Sequence, residues 1–150
     1  MDSRRPARSL IKVEFVDTNV LLYAYDRSAG VRHDRSRELV GELGRARRGA
    51  LSVQVLQEFY VNAVRKIAEP LTPDAARGRL RILSRWTTHS PTPRDVVAAS
   101  VLSEDHDLSF WDAMIVHSAA ELGCATLWTE DLNHGQVIVG VEIVDPFRPH

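Results

Sequence analysis

The chain is poor in the residues that announce the common metal and covalent chemistries. Cys124 is its only cysteine, which excludes an internal disulfide and a cysteine-based zinc site. It falls in Leu122-Gly123-Cys124-Ala125, at the expected start of a buried strand, where a thiol serves as a small hydrophobe. The histidines, His33, His89, His106, His117, His134 and His150, show no His-Glu-x-x-His spacing. No Gly-rich phosphate loop of either standard form is present, and no Gly-x-Ser-x-Gly elbow. No apolar run is long enough to span a membrane. Lysine is nearly absent: Lys12 and Lys66 are the only two.

What remains is an ordinary globular composition, 44% hydrophobic and 26% charged over 150 residues. A chain of this size buries roughly 70% of its unfolded surface, enough for a core without staples. The start, Met1-Asp2-Ser3-Arg4-Arg5-Pro6-Ala7-Arg8, is basic, and no long apolar stretch follows it. Residues 1–10 are expected to form a flexible basic tail and residues 11–150 one domain, with the cytoplasm as the default location. Net charge is −1, so the overall balance does not announce a nucleic-acid binder. The positive charge is nearly all arginine, whose planar fork suits phosphate, although genome composition produces the same bias.

Strand and helix patterns alternate along the chain. Lys12 to Val16 reads as a short buried strand, followed by a helix capped by Thr18 or Asn19 and running through Tyr25. Gly30 breaks it, and a polar helix covers about His33 to Arg47. Ala50 to Val53 is a second strand. The next helix, about Val55 to Ala68, carries Leu56, Phe59, Tyr60, Val64 and Ile67 at helical spacing, with Gln54, Glu58 and Asn62 four apart on a polar stripe. Helices follow from Asp74 to about Ser84, from Thr92-Pro93 through Leu102, and from Phe110 to Leu122. Strands are expected at Trp86 to His89, Ala125 to Trp128 and around Glu142 to Val144. The alternation predicts an α/β fold, a three-layer α/β/α sandwich around a parallel sheet of four to five strands.

Against that pattern the acids stand out. Asp17 follows the first strand. Glu58 lies one turn into the helix after the second strand. Asp112 opens the helix that Ser109 starts, and Asp131 follows the fourth strand. Each has a local explanation: a cap or turn for Asp17, a solvated face for Glu58, a capping-box spacing for Asp112, a turn for Asp131. Together they fall at the carboxyl rim of the sheet, where open α/β folds bind ligands. Carboxylates converging without a cation repel by roughly 4 kcal/mol per pair at 4 Å and an effective dielectric of 20. The cluster therefore points to a hard divalent metal, Mg²⁺ or Mn²⁺, and to phosphodiester hydrolysis. Glu14, Glu38, Glu42, Glu104, Asp105, Asp107 and Glu130 are read as structural, the three from 104 to 107 in a loop.

The segments Val16-Asp17-Thr18-Asn19-Val20-Leu21, Ser52-Val53-Gln54-Val55-Leu56-Gln57-Glu58-Phe59, Ser109-Phe110-Trp111-Asp112-Ala113-Met114-Ile115 and Leu127-Trp128-Thr129-Glu130-Asp131-Leu132 resemble those of the PIN-domain ribonucleases. More narrowly, the set resembles VapC-type toxins of bacterial toxin–antitoxin pairs, in order and over essentially the whole chain. The resemblance implies a Rossmann-like sandwich and a Mg²⁺-dependent endoribonuclease whose acidic quartet is Asp17, Glu58, Asp112 and Asp131, supported by Asn19 and Thr129. It also implies a homodimer and an antitoxin whose tail fills the groove beside the acids.

On this reading the quartet holds one or two Mg²⁺ ions, roughly 3.5–4 Å apart if two, that activate water and stabilise the leaving oxygen. Asp17 and Asp112 take the central metal roles. Arg27, Arg32, Arg77 and Arg81 are candidates for contacts to RNA phosphates. The competing readings are a housekeeping PIN nuclease of RNA maturation and a catalytically silent domain that binds a partner. A phosphoacceptor signalling domain fits less well, because the acids are spread over the whole chain and no lysine lies near the later strands.

Overall fold

The computed structural model describes residues 12–149; the expected tail at 1–10 lies outside them. The described residues form six strands, β1 (Glu14–Val16), β2 (Gly49–Ser52), β3 (Thr87–His89), β4 (Thr126–Trp128), β5 (Val137–Ile138) and β6 (Val141–Val144). Six α-helices lie among the same residues, α1 (Thr18–Tyr25), α2 (Val31–Arg45), α3 (Val53–Arg65), α4 (Pro73–Leu83), α5 (Pro93–His106) and α6 (Phe110–Glu121), with a short 3-10 turn at Arg27–Ala29. The sheet order is β3-β2-β1-β4-β6-β5. All pairings are parallel except β5 with β6. The expected α/β sandwich is therefore present, with six strands rather than four or five, because β5 adds a two-residue antiparallel edge.

The inner strands β1, β2 and β4 are short and largely buried, as a sheet covered on both sides requires, while the edge strand β3, Thr87-Thr88-His89, is polar and partly exposed. Phe15, Val16, Ala50, Leu51, Leu127 and Ile143 are fully buried. They join Val20, Val55, Phe59, Val116 and Ala119 from the helices in one hydrophobic cluster. Helices α1 to α4 pack against one another in sequence neighbours and near neighbours, while α5 packs on α6, which lies across β2, β3, β4 and β6. Among the described residues no helix is long and apolar enough to cross a membrane.

Two local details adjust the sequence expectations. The cap of α1 is Asp17 itself, whose carboxylate accepts the Thr18 N–H at 2.7 Å, rather than Thr18 or Asn19. Helix α5 runs on to His106 and ends with Asp107 in the left-handed region at φ 53°, so Glu104 and Asp105 are helical and not in a loop.

The topology places the site. From β1 the chain steps to β2 on one side, and β4 returns on the other. The carboxyl ends of β1 and β4 therefore flank a switch point, the crevice where α/β sheets bind ligands. Val16 pairs with Trp128, so Asp17 and Thr129 leave the sheet side by side.

Candidate active site

Asp17 is carried to the rim by β1 and is only 6% exposed. Its Oδ1 accepts the Thr18 N–H, and its Oδ2 accepts the Thr129 hydroxyl at 2.8 Å. Burial pushes its carboxyl up from 3.8 to about 7; those two bonds oppose the rise, and repulsion from Asp131 and Glu58 adds to it. A carboxylate this deep, with two acids beside it, lacks a compensating positive charge.

Glu58 reaches the same place from α3, whose amino end is fixed by Ser52 accepting the Val55 N–H at 3.4 Å. Thr18 donates its hydroxyl to Glu58 Oε1 at 2.7 Å, and Gln54 donates from Nε2 to Oε2 at 3.2 Å. Glu58 is thus clamped, half-buried, and not a solvated face residue.

Asp112 sits in the first turn of α6. The Ser109 hydroxyl accepts the Asp112 N–H at 3.1 Å. The reciprocal half of a capping box, in which the acid would bond back to the Ser109 N–H, does not form among the described residues. The cap therefore consumes the backbone of Asp112 and leaves its carboxylate free to face the cavity. Asp131 stands at the mouth, exposed, with its N–H donated to Thr129 Oγ1 at 3.1 Å. Partial burial, then repulsion from Asp112 and Glu130, raises its carboxyl, while the Asn19 amide works against the rise.

All four acids line one cavity of about 220 Å³, together with Thr18, Asn19, Gln54, Asn62 and Trp111, but among the described residues no three of the acids bring carboxylate oxygens within 4.8 Å of one another. The buried Oδ1 of Asn19 and the Oε1 of Gln54 have no hydrogen-bond partner. Buried polar atoms in native proteins are normally satisfied. Orphaned amides beside four unneutralised carboxylates fit a hydrated hard cation, whose waters would satisfy the amides while its charge answers the acids. The all-oxygen donor set suits Mg²⁺ or Mn²⁺.

Asn19 lines the cavity, while Thr129 lies fully buried behind it and bonds Asp17. Glu130 does not share the cavity: it accepts the Tyr23 hydroxyl at 2.5 Å and pairs with Arg32 at 3.0 Å. Glu14 binds Arg48 and accepts the Trp128 Nε1–H at 2.8 Å. The candidate arginines disperse. Arg32 stacks over Phe147 while paired with Glu130. Arg27 lines a separate cavity with His33, Arg37 and Arg79. Arg77 lies 4.0 Å from Asp74 on the solvent face of α4. Arg81 lines an apolar groove of about 490 Å³ with Leu56, Tyr60, Val61 and Leu80. Thr18, Gln54, Asn62 and Trp111 belong to the site and were not singled out from sequence. Gln54 and Asn62 carried a signal, their four-residue spacing about Glu58; Thr18 and Trp111 carried only adjacency to Asp17 and Asp112.

The PIN domain family model matches residues 15–138. In structure the chain is similar to a toxin–antitoxin complex from Klebsiella pneumoniae, with 20% identity, 91% of this chain and 99% of that one covered, and a TM-score of 0.65. It is also similar to VapC20 of Mycobacterium tuberculosis, described as a sarcin-ricin loop cleaving toxin, at 20% identity, 75% and 85% coverage, and a TM-score of 0.61. DNA-bound VapBC from Salmonella typhimurium aligns at 18% identity over 89% of this chain and 98% of that one, with a TM-score of 0.63. At such identities the likeness is one of fold. No curated protein matches the chain in sequence.

Proposed function

The chain belongs to the PIN-domain family, and from that premise we propose that it is a Mg²⁺-dependent endoribonuclease, the toxin of a toxin–antitoxin pair. One observation carries the reading: Asp17, Glu58, Asp112 and Asp131 line a single cavity to which, among the described residues, no basic side chain contributes. Asp17 and Asp112 would hold the cation, with Glu58 and Asp131 completing the charge; Mn²⁺ fits the same oxygens. When bound, the ion lowers the pKa of water at the scissile phosphate and stabilises the developing charge.

The chain's own residues then have defined tasks. Thr129 and the Thr18 N–H hold the Asp17 carboxylate in one orientation. Thr18 and Gln54 hold Glu58, so its carboxylate is positioned before substrate arrives. Such preorganisation is where electrostatic catalysis gains most. Trp111, 62% exposed at the cavity edge, offers an aromatic face to an unpaired base, the usual way proteins hold single-stranded RNA. Arg27, Arg32, Arg77 and Arg81 are the proposed phosphate contacts, of which Arg32 would first have to leave Glu130.

The similar toxin–antitoxin complex and DNA-bound VapBC support an antitoxin as the partner. The proposed seat for an antitoxin helix is the apolar groove between α3 and α4, lined by Leu56, Tyr60, Val61 and Leu80. A cytoplasmic homodimer completes the proposal.

The test is cleavage of RNA by the purified chain. Cutting should require Mg²⁺, stop with a chelator, and be abolished by Asp17→Asn while circular dichroism stays native. An Asp17→Asn chain that cuts at the wild-type rate would sink the assignment. Co-expression with the product of the adjacent reading frame should yield a complex that no longer cuts.

A further inference from the structure

Four side chains with no part in the acidic cavity meet at the carboxyl end of β3, the edge strand. His89 ends β3, Asp95 lies in the first turn of α5, and His117 and Glu121 are one turn apart at the end of α6. One ring nitrogen of His89, one carboxylate oxygen of Asp95 and one of Glu121 all lie within 4.8 Å of one another. His89 and Asp95 are largely buried, their side chains each 11% exposed, and Glu121 closes the cluster from the surface.

The details favour a cation between them. His89 Nε2 is 3.6 Å from Asp95 Oδ2, too long for a good hydrogen bond. Two ligand atoms sharing a tetrahedral zinc, with bonds of roughly 2.0–2.1 Å, sit about 3.4 Å apart. The other nitrogen of the ring, Nδ1, is 2.8 Å from the fully buried Ser118 hydroxyl. With the Nδ1 hydrogen given to Ser118, Nε2 turns its lone pair toward a carboxylate. That carboxylate is fixed by the capping box of α5, its Oδ2 accepting the Thr92 N–H at 2.7 Å and the Thr92 hydroxyl at 3.1 Å. His117 Nε2 grips Asp95 from its other oxygen, at 2.8 Å. Among the described residues neither Asp95 nor Glu121 pairs with a lysine or arginine.

We propose that His89, Asp95 and Glu121 bind a zinc-type divalent ion, with Ser118 and His117 positioning the first two ligands from behind. Hydrogen-bonded partners that fix ring tautomer and carboxylate orientation are the usual support of such sites. One imidazole with two carboxylates suits zinc and its first-row neighbours better than magnesium. Water would fill the remaining position. The ion would tie the edge strand to α5 and α6, and it is independent of the ribonuclease reading.

The test uses the full chain carrying Asp17→Asn and Asp112→Asn, so that the acidic cavity does not compete. Zn²⁺ is followed by calorimetric titration and Co²⁺ by visible absorption, without Mg²⁺. One equivalent should bind. Glu121→Gln, a surface change that leaves packing intact, should weaken binding at least tenfold, His89→Gln should abolish it, and Ser118→Ala should weaken it about 10-fold or more. The proposal is overturned if no equivalent binds, or if Glu121→Gln or His89→Gln binds as tightly as its parent. Failure of RNA cleavage by the wild-type chain would leave these outcomes untouched.

Discussion

Thr129 donates its hydroxyl to Asp17 Oδ2 at 2.8 Å, joining positions 112 residues apart in the chain. The bond forms where β1 and β4 end side by side, with the Asp17 N–H donated to the Trp128 carbonyl at 3.0 Å. The same hydroxyl oxygen accepts the Asp131 N–H at 3.1 Å. One fully buried threonine therefore sets the position of two of the four acids.

Thr129→Val keeps the shape and removes the hydroxyl. Asp17 loses a bond that lowers its pKa, and the Asp131 N–H loses its acceptor. The expected cost is about 1–3 kcal/mol, read from urea unfolding. The Mg²⁺ concentration for half-maximal cleavage should rise with it, and Thr129→Ser should restore both. Wild-type stability and metal demand in Thr129→Val would show that the threonine does not position the acids.

Glu58 and Glu130 have the same side chain and opposite placements. Glu58 lines the acidic cavity, while Glu130 is engaged by Tyr23 and Arg32. Glu58→Gln should lower single-turnover RNA cleavage by roughly 10²-fold or more, the scale of losing one preorganised charged group. Glu130→Gln should leave the chemical step near wild type. Equal losses in the two variants would count against the distinction drawn from the cavity.

The rim was legible in the sequence because short apolar strands and capped helices alternate, and that alternation alone puts Asp17 and Asp131 at strand ends. The bond from Thr18 to Glu58 was not legible, since it spans 40 residues and leaves no periodic trace. At Asp112 the local spacing suggested a complete capping box; only packing decides that the backbone is capped and the carboxylate is not. Strand β5 escaped because two residues cannot display an alternation. Arginine positions gave charge but not direction, so Arg32 and Arg81 were indistinguishable until Glu130 held one and an apolar groove the other.

Gly49 begins β2 beneath the Trp86 ring. A Cβ there would lie 2.4 Å from the nearest ring atom, so the indole or the strand must move. Gly49→Ala should destabilise by about 1–3 kcal/mol, the usual cost of overpacking. Thermal unfolding followed by tryptophan fluorescence would register both the loss and any displacement of the ring. Gly78, whose added Cβ would meet nothing within 4 Å, is the matched control; being inside α4, it should gain slightly from alanine.

Asp17 also fixes the sign of the pH dependence in the metal-free chain. Burial raises its carboxyl from 3.8 to about 7. A carboxyl whose folded pKa exceeds its unfolded one favours folding while protonated. That contribution is fully present below the unfolded value and is lost as pH rises through about 7, on the order of 4 kcal/mol in all. In chelator, the midpoint of thermal unfolding should therefore fall between pH 4 and pH 7 by more than it does in Asp17→Asn, which has no such group to ionise. Above pH 7, added Mg²⁺ should raise the wild-type midpoint by binding the folded state alone, and should do so far less in Asp17→Asn. If wild type and Asp17→Asn instead share one pH profile with and without Mg²⁺, then Asp17 is neither uncompensated in the fold nor part of a cation site.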